Sequence, residues 1–357
     1  MSARVTLVIP TLNRPALLRR QLNYYKKTGF LGEILIADSS EEAGFHATSI
    51  WLAEFSSALS LKHYHLPDLS FAGAIQKVIN EVHTPYVAVI PDDDFLIVSG
   101  IERCVNFLDN DNKFIAAHGL GIWIGSDDGG TGAISVVGHY PLPVLLNNTG
   151  SDRVINHLEN YKVTLFSIHR TEIWVKIFSN TPSTIKDPLC CDRAFSDELL
   201  QCALTAVYGK VAQIEGLYLV RQTHNTRNFL PAWYKWLTSD RWWPSYIWFR
   251  DKAAVALVEI DGVSLSCAQK TIDFALSQYL YKSILLEMNE SQGRGINQFI
   301  KRWMPKEGLH VLRRIRSRIL FRRISLIGLM SPVSPYHRDF LSIYNSVIND
   351  SGVANRD

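Results

Sequence analysis

Three aspartates stand side by side at positions 92–94, inside the stretch 84–100, TPYVAVIPDDDFLIVSG. Adjacent carboxylates repel one another, and a divalent cation relieves that repulsion; hard oxygen ligands suit Mg²⁺ or Mn²⁺. A solvated acidic turn would use the same residues, because Asp is favoured in turns. The run before them separates the two readings. Tyr86, Val87, Ala88, Val89 and Ile90 are apolar, with aromatic and β-branched members, the composition of a strand buried on both faces of a parallel sheet. Acids at the carboxyl end of such a strand lie where open α/β sheets bind their ligands.

Two other places carry groups able to do chemistry. Asp197 and Glu198, in 195–200 (FSDELL), lead into Leu199, Leu200, Ala203, Leu204 and Val207 at helical spacing, with Gly209 as a stop. Acids are favoured in the first turn of a helix by the macrodipole, so the local sequence reads Asp197 as a capping charge. His224 follows a strand expected over 210–220, in the polar run Arg221-Gln222-Thr223-His224-Asn225. His118 reads as a packed residue. The five cysteines, Cys104, Cys190, Cys191, Cys202 and Cys267, show no CxxC or His-paired spacing and fit reduced thiols without assigned chemistry.

The elements that must position these groups alternate. Residues 4–9 (RVTLVI) read as a strand, the turn Pro-Thr-Leu-Asn-Arg-Pro follows, and 16–25 is a helix with Leu17, Leu18 and Leu22 on one face. A strand over 33–37 ends in Asp38. Helices over 47–57 and 71–82, a strand over 61–64 and the strand before the acids complete the series. Strand, helix, strand units imply parallel pairing with right-handed crossovers, so the pattern is a doubly wound nucleotide-binding sheet. Thr11, Asp38 and Asp92 to Asp94 all fall at carboxyl ends of strands and should converge. There is no GxGxxG and no GxxxxGK[ST], so neither glycine loop is available to hold phosphates. A metal must do much of that work.

After the acids, 101–108 reads as a helix, 114–124 as a strand pair or a strand and turn, 126–132 (SDDGGTG) as a loop, and 163–169 as a strand. Beyond 230 the character changes: five Trp fall within 233–248, beside Tyr234, Tyr246 and Phe249, and helical patterns run over 253–258 and 271–286. Packing of a helical layer is the commoner reason for such a cluster, with one or two aromatics left for a binding cleft.

The chain has 357 residues, 47% hydrophobic and 20% charged, a globular composition that excludes a disordered or fibrous protein. The short apolar stretch before Thr11 is too small for a signal-peptide core and no run approaches a membrane span, so the expected location is the cytoplasm. The formal charge of +3 is uneven: 301–323 holds nine Lys or Arg against one acid, while the rest has 28 basic and 33 acidic residues, a net of −5. A basic segment of this kind is attracted to anionic lipid, which would place the protein peripherally at the inner face of the membrane. A solvated or nucleic-acid-attracting patch is the rival explanation of that segment.

VTLVIPTLNR, EILIADSS and TPYVAVIPDDDF together resemble the N-terminal half of family 2 glycosyltransferases of the GT-A fold. The TPYV…DDDF spelling is similar to a bacterial subgroup that assembles surface polysaccharide, and the likeness covers 5–228. The resemblance implies a GT-A catalytic domain over 1–230 and a mainly helical region over 231–357. It implies a nucleotide-sugar donor held by Pro10, Thr11, Asn13, Arg14, Asp38, Asp92 and Asp93, with Lys77 able to approach the diphosphate. It also implies Mn²⁺ or Mg²⁺ on Asp92, Asp93 and Asp94, completed by His224, and inverting transfer to a glycan or lipid-linked glycan. Asp197 takes the place of the catalytic base, and Glu198 is its neighbour if the register differs by one. Two positions depart from the family pattern: Pro91 stands where its first acid usually falls, leaving open which aspartates bind, and Ile75-Gln76 stands for a common Arg-Asn pair. The expected partners are therefore donor, acceptor and anionic membrane, without nucleic acid. A nucleotidyltransferase, or an inactive sugar-binding scaffold, are the alternatives.

Overall fold

A computed structural model describes residues 3–125, 134–179, 193–224, 237–303 and 324–351 of the chain. Strands β1 (Val5–Thr11), β2 (Glu33–Asp38), β3 (Ser60–His65) and β4 (Tyr86–Val89) pair in parallel, in the order β3-β2-β1-β4. Alternation along these strands serves two cores. Val5, Leu7 and Ile9 join one apolar cluster, whereas Val8, Leu35, Ala37, Val87 and Val89 join the cluster on the other face. Both faces are covered, which is why these strands read as continuous apolar runs.

Helices α1 (Pro15–Thr28), α2 (Glu42–Leu52) and α3 (Phe71–Val78) make the crossovers. Pro15 opens α1, where its missing N–H costs nothing, and Gly29 closes it in the left-handed conformation at φ 69°. The sheet continues past β4 with β8 (Ile168–Arg170), β6 (Phe114–Gly125), β9 (Lys210–Thr223) and β5 (Phe95–Leu96), while β7 (Val136–Tyr140) pairs with β6. Among the described residues this makes nine strands in one sheet. β6 and β9 run parallel, with register shifts between Phe114 and Ala116 and on both sides of Leu120. The segment 114–124, expected as a strand pair or a strand and turn, is therefore one long irregular strand. The strand expected over 163–169 shrinks to Ile168–Arg170, because Ser167 N–H donates to the carbonyl of Thr164 and closes a turn there.

The far face carries α5 (Gly150–Glu159), α6 (Thr171–Phe178) and α7 (Leu200–Tyr208), the last preceded by a π-helical turn, Phe195–Leu199. Over these lie α8 (Trp242–Asp261) and α9 (Leu265–Trp303), whose Phe249, Leu257, Ile272 and Leu276 share one core with Val8 and Val89 of the sheet. The other face carries α4 (Val98–Asn110), the short α10 (Leu326–Met330) and α11 (His337–Ser351), which buries Phe340, Ile343 and Val347. Helices from the C-terminal third thus clamp the sheet from both sides. Trp242 and Trp248 pack against the core, while Trp243 is exposed. Trp233, Tyr234 and Trp236, the loop 126–132, Cys190, Cys191 and residues 304–323 of the basic segment lie outside the described residues. Among the described residues no helix is long and apolar enough to cross a membrane. Cys104, Cys202 and Cys267 are free thiols, and His118 is fully buried with Nε2 2.7 Å from the carbonyl oxygen of Pro143.

Candidate functional site

The register of β1 on β2 sets Thr11 beside Asp38, while Val89, the last residue of β4, pairs with Val8, and the N–H of Ile90 donates to the Val8 carbonyl. The turn that follows β4 therefore comes level with the carboxyl ends of β1 and β2. The segment 91–94 turns sharply there, with Asp94 N–H donating to the Pro91 carbonyl at 3.1 Å. Gln21, on the buried face of α1 between Leu18 and Tyr25, holds that turn by donating to the carbonyls of Pro91 and Asp94 at 2.7 and 2.6 Å.

All three acids are buried. Asp92 Oδ2 accepts from the Thr11 hydroxyl at 2.6 Å, and its Oδ1 lies 2.5 Å from Arg14 Nη2, an ion pair without hydrogen-bond alignment. Asp93 Oδ2 accepts from Arg14 Nη1 at 3.0 Å and lies 3.0 Å from His224 Nε2. Asp94 gives one oxygen to Arg221 Nε at 2.7 Å and the other to the Gln222 N–H at 2.8 Å. Arg221 is flanked in turn by the Tyr140 hydroxyl at 2.9 Å and by the Phe166 ring, 4.5 Å from its centroid.

These partners give the acids different ionisation behaviour. Burial pushes Asp92 up to about 7, a rise that Arg14 opposes and Asp93 reinforces. Burial acts the same way on Asp93, but the His224 hydrogen bond and the Arg14 charge outweigh it and hold that carboxyl well below the usual range. At Asp94 burial raises the carboxyl while Arg221 beside it is held more firmly charged, two tendencies that disagree about the pair. We take the pair as ionised, because a guanidinium does not give up its proton and a neutral Asp94 would leave it buried without a counter-charge.

Around this centre, Pro10 pairs with Ala37 one residue before the end of the β1 ladder, and Asn13 adopts φ 54°, a left-handed conformation that Asn tolerates. The Asn13 N–H donates to Ser40 Oγ at 2.7 Å. Asp38 accepts from the Ser40 N–H at 2.8 Å and pairs with His63 Nε2 at 3.0 Å. Its burial would raise the carboxyl, but these bonds bring it below its ordinary value. Lys77 is exposed in the last turn of α3, at the far end of that helix from the sheet edge, and nothing brings it to the acids.

Asp197 reaches the same sheet edge by a different route. α3 starts just after β3 leaves that edge, and Asp197 Oδ1 accepts from the Ala72 N–H in its first turn at 3.2 Å, while Oδ2 accepts from Arg193 Nε at 2.9 Å. The capping role read from the sequence is thus real, but it serves α3 and not the helix that Asp197 precedes. Its side chain keeps 12% of its surface open. Glu198 is turned inward, accepting from the Tyr161 hydroxyl at 2.8 Å, and burial raises its carboxyl.

Among the described residues no group of three or more His, Cys, Asp or Glu is arranged to hold a metal. Asp92, Asp93 and His224 carry oxygen and nitrogen donors of the types that divalent cations take, and here the Arg14 guanidinium lies against both carboxylates. Asp94 does not fit, since both its oxygens serve β9. Arg221, Gln21 and Tyr140 were missed as site residues by pattern reading. The available signal was a polar Gln in the middle of the α1 apolar stripe and an Arg inside a buried strand.

No protein-family model matches the sequence, and no curated protein sequence matches it significantly. Solved structures do. The Staphylococcus aureus TarS 1–349 structure in complex with UDP-GlcNAc is similar over 99% of this chain and 92% of that one, with a TM-score of 0.50 and 14% identity. A longer TarS structure is similar at a TM-score of 0.48 and 15% identity, over 97% of this chain, which spans 55% of its length. The Pyrobaculum calidifontis mannosyltransferase PcManGT, in complex with GDP-Man and Mn²⁺, has a TM-score of 0.40 and 12% identity over 99% of this chain and 88% of that one. At such identities the likeness speaks to the fold. The chain has the GT-A architecture, a central mixed sheet with flanking helices and a helical C-terminal region.

Two outcomes follow from the buried charges. Arg221→Ala leaves the Asp94 carboxylate buried beside a single N–H, which should cost roughly 3–5 kcal/mol in urea unfolding; an Asp94→Asn, Arg221→Met pair should recover part of it, and a single-variant loss under about 1 kcal/mol would refute the pairing. For Asp92 the folded carboxyl binds its proton more tightly than the unfolded one, whose value is near 3.8, so its contribution to stability falls as pH rises from there to about 7. In metal-free protein Asp92→Asn should flatten that slope, measured as unfolding free energy at pH 5 and pH 8.

Proposed function

We propose that this chain is a glycosyltransferase, moving a sugar from a nucleotide diphosphate donor to a hydroxyl of a glycan acceptor with inversion. The observation that carries the reading is the convergence of Thr11, Arg14, Asp38, the three buried acids and His224 on one edge of the sheet, with Asp197 tied to the helix start beside them. The solved TarS 1–349 complex, which shares the fold, holds UDP-GlcNAc, a donor of that class.

The roles are those the family resemblance implies, and the geometry accommodates them. The turn at Thr11 to Arg14 and the Asp38 carboxylate form the floor for base and ribose. Asp92, Asp93 and His224 would hold a divalent cation, which supplies charge neutralisation for the departing diphosphate. Asp94 with Arg221 positions the turn and touches no substrate. In a direct displacement the acceptor hydroxyl attacks from the face opposite the leaving group, so the base must stand apart from the acids. Asp197 does so, on the opposite helical layer and partly open. Ala72 and Arg193 each hold one of its oxygens and so fix the direction of the carboxylate.

Removing a positioned base typically costs about 10²–10⁴ in rate. Asp197→Asn keeps an oxygen for the Ala72 N–H, so it should fold and bind donor and Mn²⁺ as the parent does, yet transfer at that reduced rate. Transfer at the parental rate would overturn the assignment. Chelation should abolish release of nucleotide diphosphate and Mn²⁺ restore it, with Asp92→Asn, Asp93→Asn losing Mn²⁺ binding by calorimetry. A protein that releases no nucleotide diphosphate from a panel of nucleotide sugars under any metal is a scaffold and not an enzyme.

A further inference from the structure

Helix α9 carries two apolar rows where packing needs one. The inner row, Ala268, Ile272, Leu276 and Tyr279, is buried in the core shared with the sheet, where the helix lies against α5 and α8. The outer row is on the opposite side. Phe274, Tyr281 and Leu285 are seven and four positions apart, which brings them within about 40° of one another around the helix axis. They keep 53%, 61% and 39% of their surface open to water.

Little on that side calls for water. Cys267, an exposed free thiol, extends the row by two turns. The Ser277 hydroxyl donates back to the Phe274 carbonyl at 2.7 Å. Asp273, the one acid of α9 among the described residues, is turned aside to accept from the Tyr246 hydroxyl of α8, and the exposed charge beside the row is Lys270. A lone exposed apolar side chain is ordinary, but an aligned row on a helix already packed by its other side marks a surface for a partner.

The charge of the chain chooses that partner. α9 ends at Trp303, within the segment 301–323, where nine Lys or Arg stand against one acid. A basic run by itself suits lipid or nucleic acid. Nucleic acid is held mainly through its phosphates, which make no use of a Phe and Leu row. A second copy of the chain would cover the row and leave the positive segment without a counter-charge. An anionic bilayer uses both features, since its head groups attract Lys and Arg while its acyl boundary takes apolar side chains. We propose that the outer face of α9 is a docking surface for an anionic lipid bilayer, with Phe274, Tyr281 and Leu285 entering the head-group boundary. This docking does not depend on the transferase reading.

The test is co-sedimentation of the full chain with phosphatidylcholine vesicles, with and without phosphatidylserine, at low and high salt. The chain should pellet with the phosphatidylserine vesicles at low salt and be released by high salt. Phe274→Ser, Tyr281→Ser and Leu285→Ser together, all at exposed positions, should keep the parental melting temperature and bind about a hundredfold more weakly. Lys270→Glu, which sets an acid beside the row, should weaken binding about tenfold. No pelleting with phosphatidylserine, equal pelleting with phosphatidylcholine alone, or parental affinity in both variants overturns the surface. A parental dimer that the triple variant dissolves gives the face to a second copy, and retention on RNA without vesicle binding gives the basic run to nucleic acid; either also overturns it.

Discussion

Three carboxylates in a row, all withdrawn from water, are the constraint to which the rest of this fold answers. Each buried charge would cost several kcal/mol without compensation, and the compensation comes from three side chains in two separate parts of the chain: Arg14 from the turn after β1, and Arg221 and His224 from the end of β9. The backbone of the turn is held by a fourth contributor, Gln21 of α1. The order of the sheet follows suit, since β9 must reach the same edge as β4 for Arg221 and Gln222 to meet Asp94.

The identical residues have divided their labour by environment. Asp94 is wholly occupied with joining two strands, Asp93 is shared between a guanidinium and an imidazole, and Asp92 is pulled by burial towards the neutral acid. Adjacent positions on a sharp turn point in different directions, so three neighbours in sequence meet three different surroundings. Asp197 and Glu198 repeat the lesson: one faces the edge of the sheet and the other is locked to Tyr161 in the interior.

Continuous apolar runs and helical spacing made the parallel half of the sheet legible, because each apolar strand there leads into polar residues near a level that neighbouring strands share. Thr11, Asp38 and the acids could be brought together on that ground alone. The antiparallel additions were harder. Residues 164–167 are as apolar as a strand yet fold into a turn, and the bulges of β6 break its alternation near Leu120. Partnerships across the chain were invisible: Arg221 meets Asp94 from 127 positions away, and Asp197 caps a helix 125 positions before it. Nothing local to either residue names the other, and only the three-dimensional path of β9 and α7 does.

The guanidinium of Arg14, lying across Asp92 and Asp93, separates two events in the life of the chain. A protein whose acids were balanced only by metal would stay unfolded until it was loaded, as small zinc domains do. Here the opposite charges are written into the polypeptide itself. The nascent chain can collapse around its acidic turn without any inorganic ion, because its own guanidinium already balances those acids.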